Sequence, residues 1–126
     1  MGTFRYPIEI GSADQSRFER LEAWVDSGSS YTWIPRPILL KLGFSPHYQR
    51  RFRTADGRIV ERGVCQAPIR IGQETLITLC VFGDDDSEPL LGATALEDFG
   101  LGVDPIHHAL VPVVSNALSF TLEVSP

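Results

Sequence analysis

Apolar and polar residues alternate over several short stretches of this sequence, and the same stretches are rich in β-branched and aromatic side chains. Such alternation is typical of strands that bury one face. Turn residues separate the stretches, among them Asp56-Gly57, a dipeptide that strongly favours a tight hairpin. The pattern predicts strands over residues 4–10, 18–25, 49–53, 58–71 and 75–82.

Two stretches break the alternation and predict helical structure. Residues 35–42 indicate one or two helical turns, and residues 93–99 indicate a short helix; each is followed by a glycine, which commonly ends a helix. Closing strands are expected over 101–104, 109–114 and 118–124. The whole chain, residues 1–126, is therefore predicted to be one mostly β domain, closed or nearly closed into a β-barrel, with one short helix in its C-terminal half.

Charge and hydropathy limit the expected partners. The net charge is −5, whereas nucleic acids and anionic membranes are bound by basic surfaces, so neither is expected as a partner. There is no run of about 18 apolar residues. The N-terminus also lacks the apolar segment of a secretory signal, which favours a cytoplasmic protein. Cys65 and Cys80 could form a disulfide, although buried thiols on strands are favoured.

Three polar clusters of the sequence are candidate binding sites. The acidic run at 84–86 cannot aim three adjacent side chains at one ion, and His107-His108 has no further ligand at metal spacing. Both are interpreted as surface turns, and no metal is expected. Arg50, Arg51 and Arg53 precede the hairpin; a solvated strand edge is the first interpretation, and a preference for acidic substrates is the alternative.

Residues 21–30, LEAWVDSGSS, carry the candidate chemistry, because an apolar strand ends there on Asp26. The small hydroxyl of Ser27 can reach a counterpart, and Gly28 permits a sharp turn and a close backbone approach. Asp-(Ser/Thr)-Gly at the end of an apolar strand resembles the signature of aspartic proteases, although the tripeptide alone is a weak signal. Trp24 and Trp33, which flank the motif, are interpreted as core residues.

Further features strengthen this resemblance. The run DSGSSYTWIP is similar to the active-site segment of pepsin-type lobes, in which the serine at the position of Ser29 supports the catalytic carboxylate. Leu90-Leu91-Gly92 resembles a hydrophobic-hydrophobic-Gly motif whose strand passes behind the active-site loop. The hairpin at Ala55-Asp56-Gly57 lies between the two motifs, where that family places its flap.

Residues 18–112 therefore resemble single-lobe, retropepsin-like aspartic proteases, and the segment after Gly92 is similar to the bacterial and archaeal members. The resemblance implies the acid-protease barrel and a catalytic Asp26. Supporting and substrate-binding roles are implied for Ser27, Gly28, Ser29, Leu91 and Gly92, and for Ala55, Asp56 and Gly57, respectively. Retroviral members pair an aspartate with an arginine at the positions that Ser30 and Ala93 occupy here, so that ion pair is absent.

A single Asp-Ser-Gly is half of such a site, because these enzymes use two carboxylates that share one proton. The resemblance implies a symmetric homodimer in which Asp26 of each copy activates a water to hydrolyse a peptide or protein substrate. No cofactor is required. Two alternatives stay open: a non-catalytic dimerisation or peptide-binding module with this fold, and an unrelated β-barrel that binds a small ligand, with Asp26 as a turn residue.

Overall fold

The computed structural model describes residues 4–114, and the strand expected over 118–124 lies outside that range. The described part contains nine strands and two short helices. In chain order they are β1 (Arg5–Gly11), β2 (Phe18–Val25), β3 (Thr32–Pro35), α1 (Arg36–Lys41), β4 (Tyr48–Arg53), β5 (Ile59–Ile71), β6 (Glu74–Gly83), β7 (Leu90–Leu91), α2 (Ala93–Asp98), β8 (Leu101–Asp104) and β9 (Ala109–Pro112).

Seven strands form one sheet that closes on itself. Hydrogen-bonded neighbours follow the order β1-β2-β7-β3-β6-β5-β4, and β1 also pairs with β5, where Glu9 lies opposite Arg70. Six strands therefore form a ring, from which β4 extends as the outer strand of the β4–β5 hairpin. Strands β8 and β9 form a separate two-stranded sheet. The predicted mostly β, closed architecture is confirmed.

Alternate residues of the first two strands enter the hydrophobic core. Ile8 and Ile10 of β1 and Ala23 and Val25 of β2 are buried, because successive side chains of a strand point to opposite faces. Both short helices contribute buried residues to the same cluster. The burial of Val25 matters for the candidate site, since it fixes the end of the strand from which Asp26 emerges.

The two cysteines lie opposite each other in the β5–β6 ladder, and both are buried and free. Burial raises the pKa of the Cys65 thiol to about 12. Burial, together with the neighbouring Cys65, also raises the pKa of Cys80. The thiolate is the reactive form of cysteine, so both side chains are structural, in agreement with the interpretation as buried thiols.

The described elements differ from the predicted ones in one strand and in the number of helices. Strand β3, which the pattern does not predict, pairs in parallel with β6 and antiparallel with β7. The helical turns expected at 35–42 are confirmed as α1, so residues 4–114 contain two short helices, whereas the predicted architecture has one. Between residues 4 and 114, no helix has the length and apolar character needed to cross a bilayer.

Candidate active site

Asp26 directly follows β2 and begins a loop over residues 26–31, called here the aspartate loop. Its backbone N–H donates to the carbonyl of Leu91 at 3.0 Å, which extends the parallel β2–β7 pairing by one residue. The N–H of Gly28 donates to Oδ1 of Asp26 at 3.0 Å, and the N–H of Ser29 donates to its carbonyl at 3.2 Å. The half-buried carboxylate is therefore held by the backbone of its own loop.

Gly28 makes a close approach and does not have an unusual backbone angle. Its φ is not among the positive values, so the sharp turn expected there does not depend on left-handed backbone. A Cβ at this position would lie 3.2 Å from Oδ1 of Asp26, closer than most real contacts of a Cβ. A side chain would therefore push against the carboxylate that the Gly28 N–H binds.

The start of α2 holds the aspartate loop through its backbone. The N–H of Ala93 donates to the carbonyl of Ser29 at 2.7 Å, and the N–H of Thr94 donates to the carbonyl of Ser30 at 2.9 Å. Ser30 and Ala93 occupy the positions that carry paired charges in retroviral enzymes. These backbone hydrogen bonds join the same two segments here without a side-chain ion pair.

Gly92 lies where the backbone of β7 passes against the aspartate loop. A Cβ at Gly92 would lie 2.3 Å from the carbonyl oxygen of Tyr31 and 2.9 Å from that of Ser29, so no side chain fits unless a segment moves. The N–H of Gly92 donates to Oγ1 of the buried Thr32 at 3.1 Å. The Leu91-Gly92 segment thus passes behind the loop, which is the arrangement that its motif predicts.

The two serines that follow Asp26 have different surroundings. Ser27 is exposed at the turn of the loop in the single chain. The hydroxyl of Ser29 donates to the carbonyl of Tyr31 at 3.0 Å. Ser29 therefore braces the loop backbone, while its support of the Asp26 carboxylate stays a prediction.

The tip of the β4–β5 hairpin contains Ala55, Asp56 and Gly57. The N–H of Thr54 donates to the carbonyl of Arg58 at 2.8 Å, and the N–H of Gly57 donates to the carbonyl of Thr54 at 2.9 Å. Ala55 and Asp56 are thus the central turn residues, and Gly57 follows them with a φ of +87°. The hairpin is confirmed, but it is a three-residue loop with a left-handed glycine and not a turn centred on Asp56-Gly57.

The carboxylate of Asp56 organises this turn. It accepts hydrogen bonds from the hydroxyl of Thr54, from the N–H of Arg58 at 3.2 Å and from Nε of Arg58 at 3.0 Å. These bonds, first of all that from the Thr54 hydroxyl, lower the pKa of Asp56 to about 2. Asp56 therefore stays ionised, and the turn stays bonded, in mildly acidic solution.

A cleft of about 550 Å³ lies between the aspartate loop and the hairpin. Its lining residues are Asp26, Gly28, Ser29, Trp33, Arg53, Thr54, Ala55 and Leu90. The cleft thus brings together the predicted catalytic residue and the start of the predicted flap. Asp56 and Gly57 lie beyond its lining, at the outer end of the hairpin.

Trp33 is a wall of the cleft, which the sequence interpretation misses. Its half-buried ring packs edge-on against Phe52 of β4, with centroids 5.1 Å apart. Phe52 also packs against Tyr31 at 5.5 Å, and the Tyr31 hydroxyl accepts a hydrogen bond from Nη1 of Arg50 at 2.6 Å. The interpretation of both tryptophans as core residues is wrong, since each is only half-buried. The adjacent Ile34 is buried, which places Trp33 on the opposite face of β3.

The polar clusters at 84–86 and 107–108 make local contacts. Asp84 pairs with Arg62 at 2.8 Å, and Asp85 lies 3.5 Å from Arg36. His107 contacts the carboxylate of Asp104 at 2.7 Å. Among residues 4–114, no three His, Cys, Asp or Glu side chains are grouped as metal ligands would be.

Comparison with protein families agrees with this geometry. The model of a family described as aspartyl protease matches residues 9–95, a range that contains the aspartate loop, the hairpin and Gly92. No curated protein sequence is significantly similar to the chain.

Two solved structures share the fold. A retropepsin-like aspartic protease from Rickettsia conorii is similar with a TM-score of 0.54 and 22% identity, over 79% of this chain and 76% of that chain. The simian foamy virus (mac) protease is similar with a TM-score of 0.52 and 17% identity, over 75% of this chain and 94% of that chain. These likenesses confirm the predicted single-lobe, retropepsin-like fold.

Proposed function

Because the chain belongs to the aspartyl protease family, we propose that it is an aspartic endopeptidase whose active site forms between two copies of the chain. The observation that supports this most directly is the placement of Asp26. It ends a buried strand, its backbone is bonded to β7, and its carboxylate lines the cleft beside the hairpin. The alternative of an unrelated β-barrel is wrong, since the family membership excludes it.

In this proposal, Asp26 of each copy contributes one carboxylate to a dyad on the twofold axis. Two carboxylates at hydrogen-bond distance share one proton, because like charges that close cannot both be ionised. The ionised member takes a proton from water, whose oxygen attacks the carbonyl carbon of the peptide bond. The protonated member donates to the carbonyl oxygen, and the C–N bond then breaks as the nitrogen receives a proton.

The residues around Asp26 act as supports in the same proposal. Gly28, Ser29, Leu91 and Gly92 fix the loop through the close contacts described above, which keeps the carboxylate in one place. The exposed hydroxyl of Ser27 hydrogen-bonds across the twofold axis. Such preorganisation matters because misplacing a catalytic group by about 1 Å can reduce the rate by about a hundredfold.

The hairpin residues Ala55, Asp56 and Gly57 form a flap over the substrate. An extended peptide can lie in the cleft between this flap and Asp26, bound through backbone hydrogen bonds of the β type. The half-buried Trp33 and the neighbouring Leu90 provide an apolar wall for one of its side chains. Each copy provides one flap, so the bound peptide is covered from both sides.

The dyad is tested by mixing wild type with the Asp26→Asn variant, in which an amide that cannot act as the base replaces the carboxylate. Asp26→Asn alone is expected to fold, by circular dichroism, and to hydrolyse no peptide. In an equal mixture at fixed total concentration, random pairing leaves about a quarter of the dimers with two wild-type subunits, so activity should fall to about a quarter.

The other outcomes of this mixing experiment are equally informative. Activity that falls only to half after the two proteins are unfolded and refolded together, so that subunits exchange, would show that each chain works alone. Wild type that hydrolyses no peptide of a broad library and is not stabilised by pepstatin would instead favour the non-catalytic dimerisation or peptide-binding module. Pepstatin is suited to this control because it mimics the transition state of a paired dyad.

A further inference from the structure

The β4–β5 hairpin is basic although the chain as a whole is acidic. Residues 48–59 contain four arginines, Arg50, Arg51, Arg53 and Arg58, and a single acidic residue, Asp56. Residues 48–59 therefore have a net charge of +3 in a chain whose net charge is −5. This segregation places positive charge on the element that faces Asp26 across the cleft.

Most of this positive charge is not neutralised within the chain. Arg58 pairs with Asp56 at 3.0 Å. Arg50 donates to the Tyr31 hydroxyl, which carries no charge. In the part of the chain that the structure describes, no carboxylate forms an ion pair with Arg50, Arg51 or Arg53. All three are exposed, so they are accessible to an acidic ligand.

Arg53 is the arginine that reaches the cleft. Among the lining residues it is the one that carries a positive charge, and Asp26 is the one that carries a negative charge. Nη1 of Arg53 donates to the carbonyl of Gly57 at 3.3 Å, which holds the guanidinium beside the hairpin tip. A guanidinium has five N–H donors, so most of them are available to a carboxylate.

We propose that Arg53 is a specificity-determining residue that selects peptides with a glutamate or aspartate close to the cleaved bond. This inference rests on the proposed function, and it names the class of substrate. The carboxylate of the peptide binds the Arg53 guanidinium while a neighbouring apolar side chain packs on Trp33 and Leu90. Arg50 and Arg51 raise the positive potential around the entrance and attract acidic segments.

A peptide suits this surface better than a nucleic acid does. The basic region is confined to one short hairpin, whereas a nucleic acid would extend its phosphates over the remaining surface, whose net charge is negative. The cleft beside Arg53 also has the apolar wall of Trp33 and Leu90, which fits a peptide side chain next to an acidic one.

The test compares pairs of peptides that differ only by Glu or Gln, with the acidic position moved along the peptide. Wild type is expected to prefer Glu in kcat/KM by about tenfold at one or two positions, the size that one charge-assisted hydrogen bond provides. Arg53→Gln should abolish this ratio, and Arg53→Lys should retain part of it. Arg20→Gln is the matched control, because it removes the same charge from β2, outside the cleft, and should keep the ratio.

Peptide-binding measurements distinguish a failure of this inference from a failure of the proposed function. The binding affinity of the same peptide pairs is measured with Asp26→Asn. This variant should bind the Glu peptide more tightly than the Gln peptide, and adding Arg53→Gln should remove the difference. Equal cleavage of Glu and Gln peptides by wild type would overturn the role of Arg53 and leave the protease function intact. If wild type hydrolyses no peptide, the proposed protease function is contradicted. If the Glu and Gln peptides also bind Asp26→Asn equally, the inference about Arg53 is overturned as well. The inference would also be overturned if a single-stranded oligonucleotide displaced a labelled acidic peptide as effectively as the unlabelled peptide does.

Discussion

The aspartate loop and the hairpin tip face the same cleft, but they are held in different ways. The loop is bonded to other segments of the chain: the N–H of Asp26 donates to the buried Leu91, and the carbonyl of Ser29 accepts from Ala93. The hairpin tip is bonded almost entirely to itself, through Thr54, Asp56 and Arg58, and it is exposed. Regions with few buried contacts open at low free energy, so the tip can move while the carboxylate stays fixed.

Gly92, which contacts the aspartate loop, and Gly57, at the hairpin tip, have different structural roles. Gly92 has an ordinary φ and no room for a Cβ, whereas Gly57 has a φ of +87° and nothing within 4 Å of a Cβ. One glycine permits close packing, and the other permits a turn. Substitutions at these two positions therefore separate the packing of the loop from the conformation of the hairpin tip.

Gly92→Ala should have the largest effect on stability. The new Cβ would overlap the carbonyls of Tyr31 and Ser29, and such overpacking costs about 1–3 kcal/mol. Chemical denaturation should show this loss, and hydrolysis should fall as well, because the aspartate loop must shift. A variant with unchanged unfolding free energy and unchanged kcat would show that the loop is not held as tightly as the distances indicate.

Gly57→Val should reduce hydrolysis more than it reduces stability. Left-handed backbone costs a residue with a side chain about 1–2 kcal/mol, but the site is exposed and the strain stays within the hairpin. Gly72→Val is the matched control: its φ is +61°, its Cβ would also be in open space, and it lies in the β5–β6 turn, outside the cleft. Equal loss of hydrolysis in both variants would contradict the role of Gly57 in a flap.

Ser27→Ala tests whether the Ser27 hydroxyl, in the exposed part of the aspartate loop, contributes to the dimer. If the hydroxyl bonds across the twofold axis, its removal should weaken the dimer by about 0.5–1.5 kcal/mol per lost hydrogen bond, and Ser27→Thr should be tolerated. Analytical ultracentrifugation over a range of concentrations measures the dimer dissociation constant. Identical constants for wild type and Ser27→Ala would argue against this bond.

The smallest effect is expected from the titration of Asp56. Its pKa is lowered from the ordinary value of 3.8 to about 2, so its stabilisation of the turn is complete above pH 3.8 and is lost as the pH falls through about 2. NMR should show the carboxyl carbon of Asp56 and the amide of Arg58 titrating together in that range. A midpoint near 3.8 would show that the turn hydrogen bonds do not hold in solution.

The local patterns of the sequence predict the strands and helix ends, which depend on residues that are close together in the chain. Alternation located β1, β2, β5 and β6 within one or two residues, and the Asp26 and Gly92 motifs indicated two segments that the structure places in contact. Glycine after each helix also marked where α1 and α2 end. These signals are local because strand periodicity and helix termination are local properties of the backbone.

The sequence could not predict features that depend on register between distant strands. Strand β3 has four residues, too short for a clear alternation, so the side on which Trp33 lies was not recognised. The packing of Trp33 on Phe52 requires that β3 and β4 meet across the cleft, which no local pattern encodes. The sequence also does not determine the type of the hairpin turn. Asp56-Gly57 is compatible with a two-residue turn centred on these residues and with a three-residue loop in which Gly57 is left-handed.

The supports of the aspartate loop come from a late part of the chain, and this has a consequence during synthesis. Gly92 and Thr32, which are hydrogen-bonded, are separated by 60 residues. A ribosome must therefore make β7 and the start of α2 before the loop around Asp26 can be held. Contacts of such long sequence separation also slow folding, because a long loop must close before they form. An unfinished chain that ends before β7 therefore lacks the backbone hydrogen bonds that hold Asp26 and Ser29 in place.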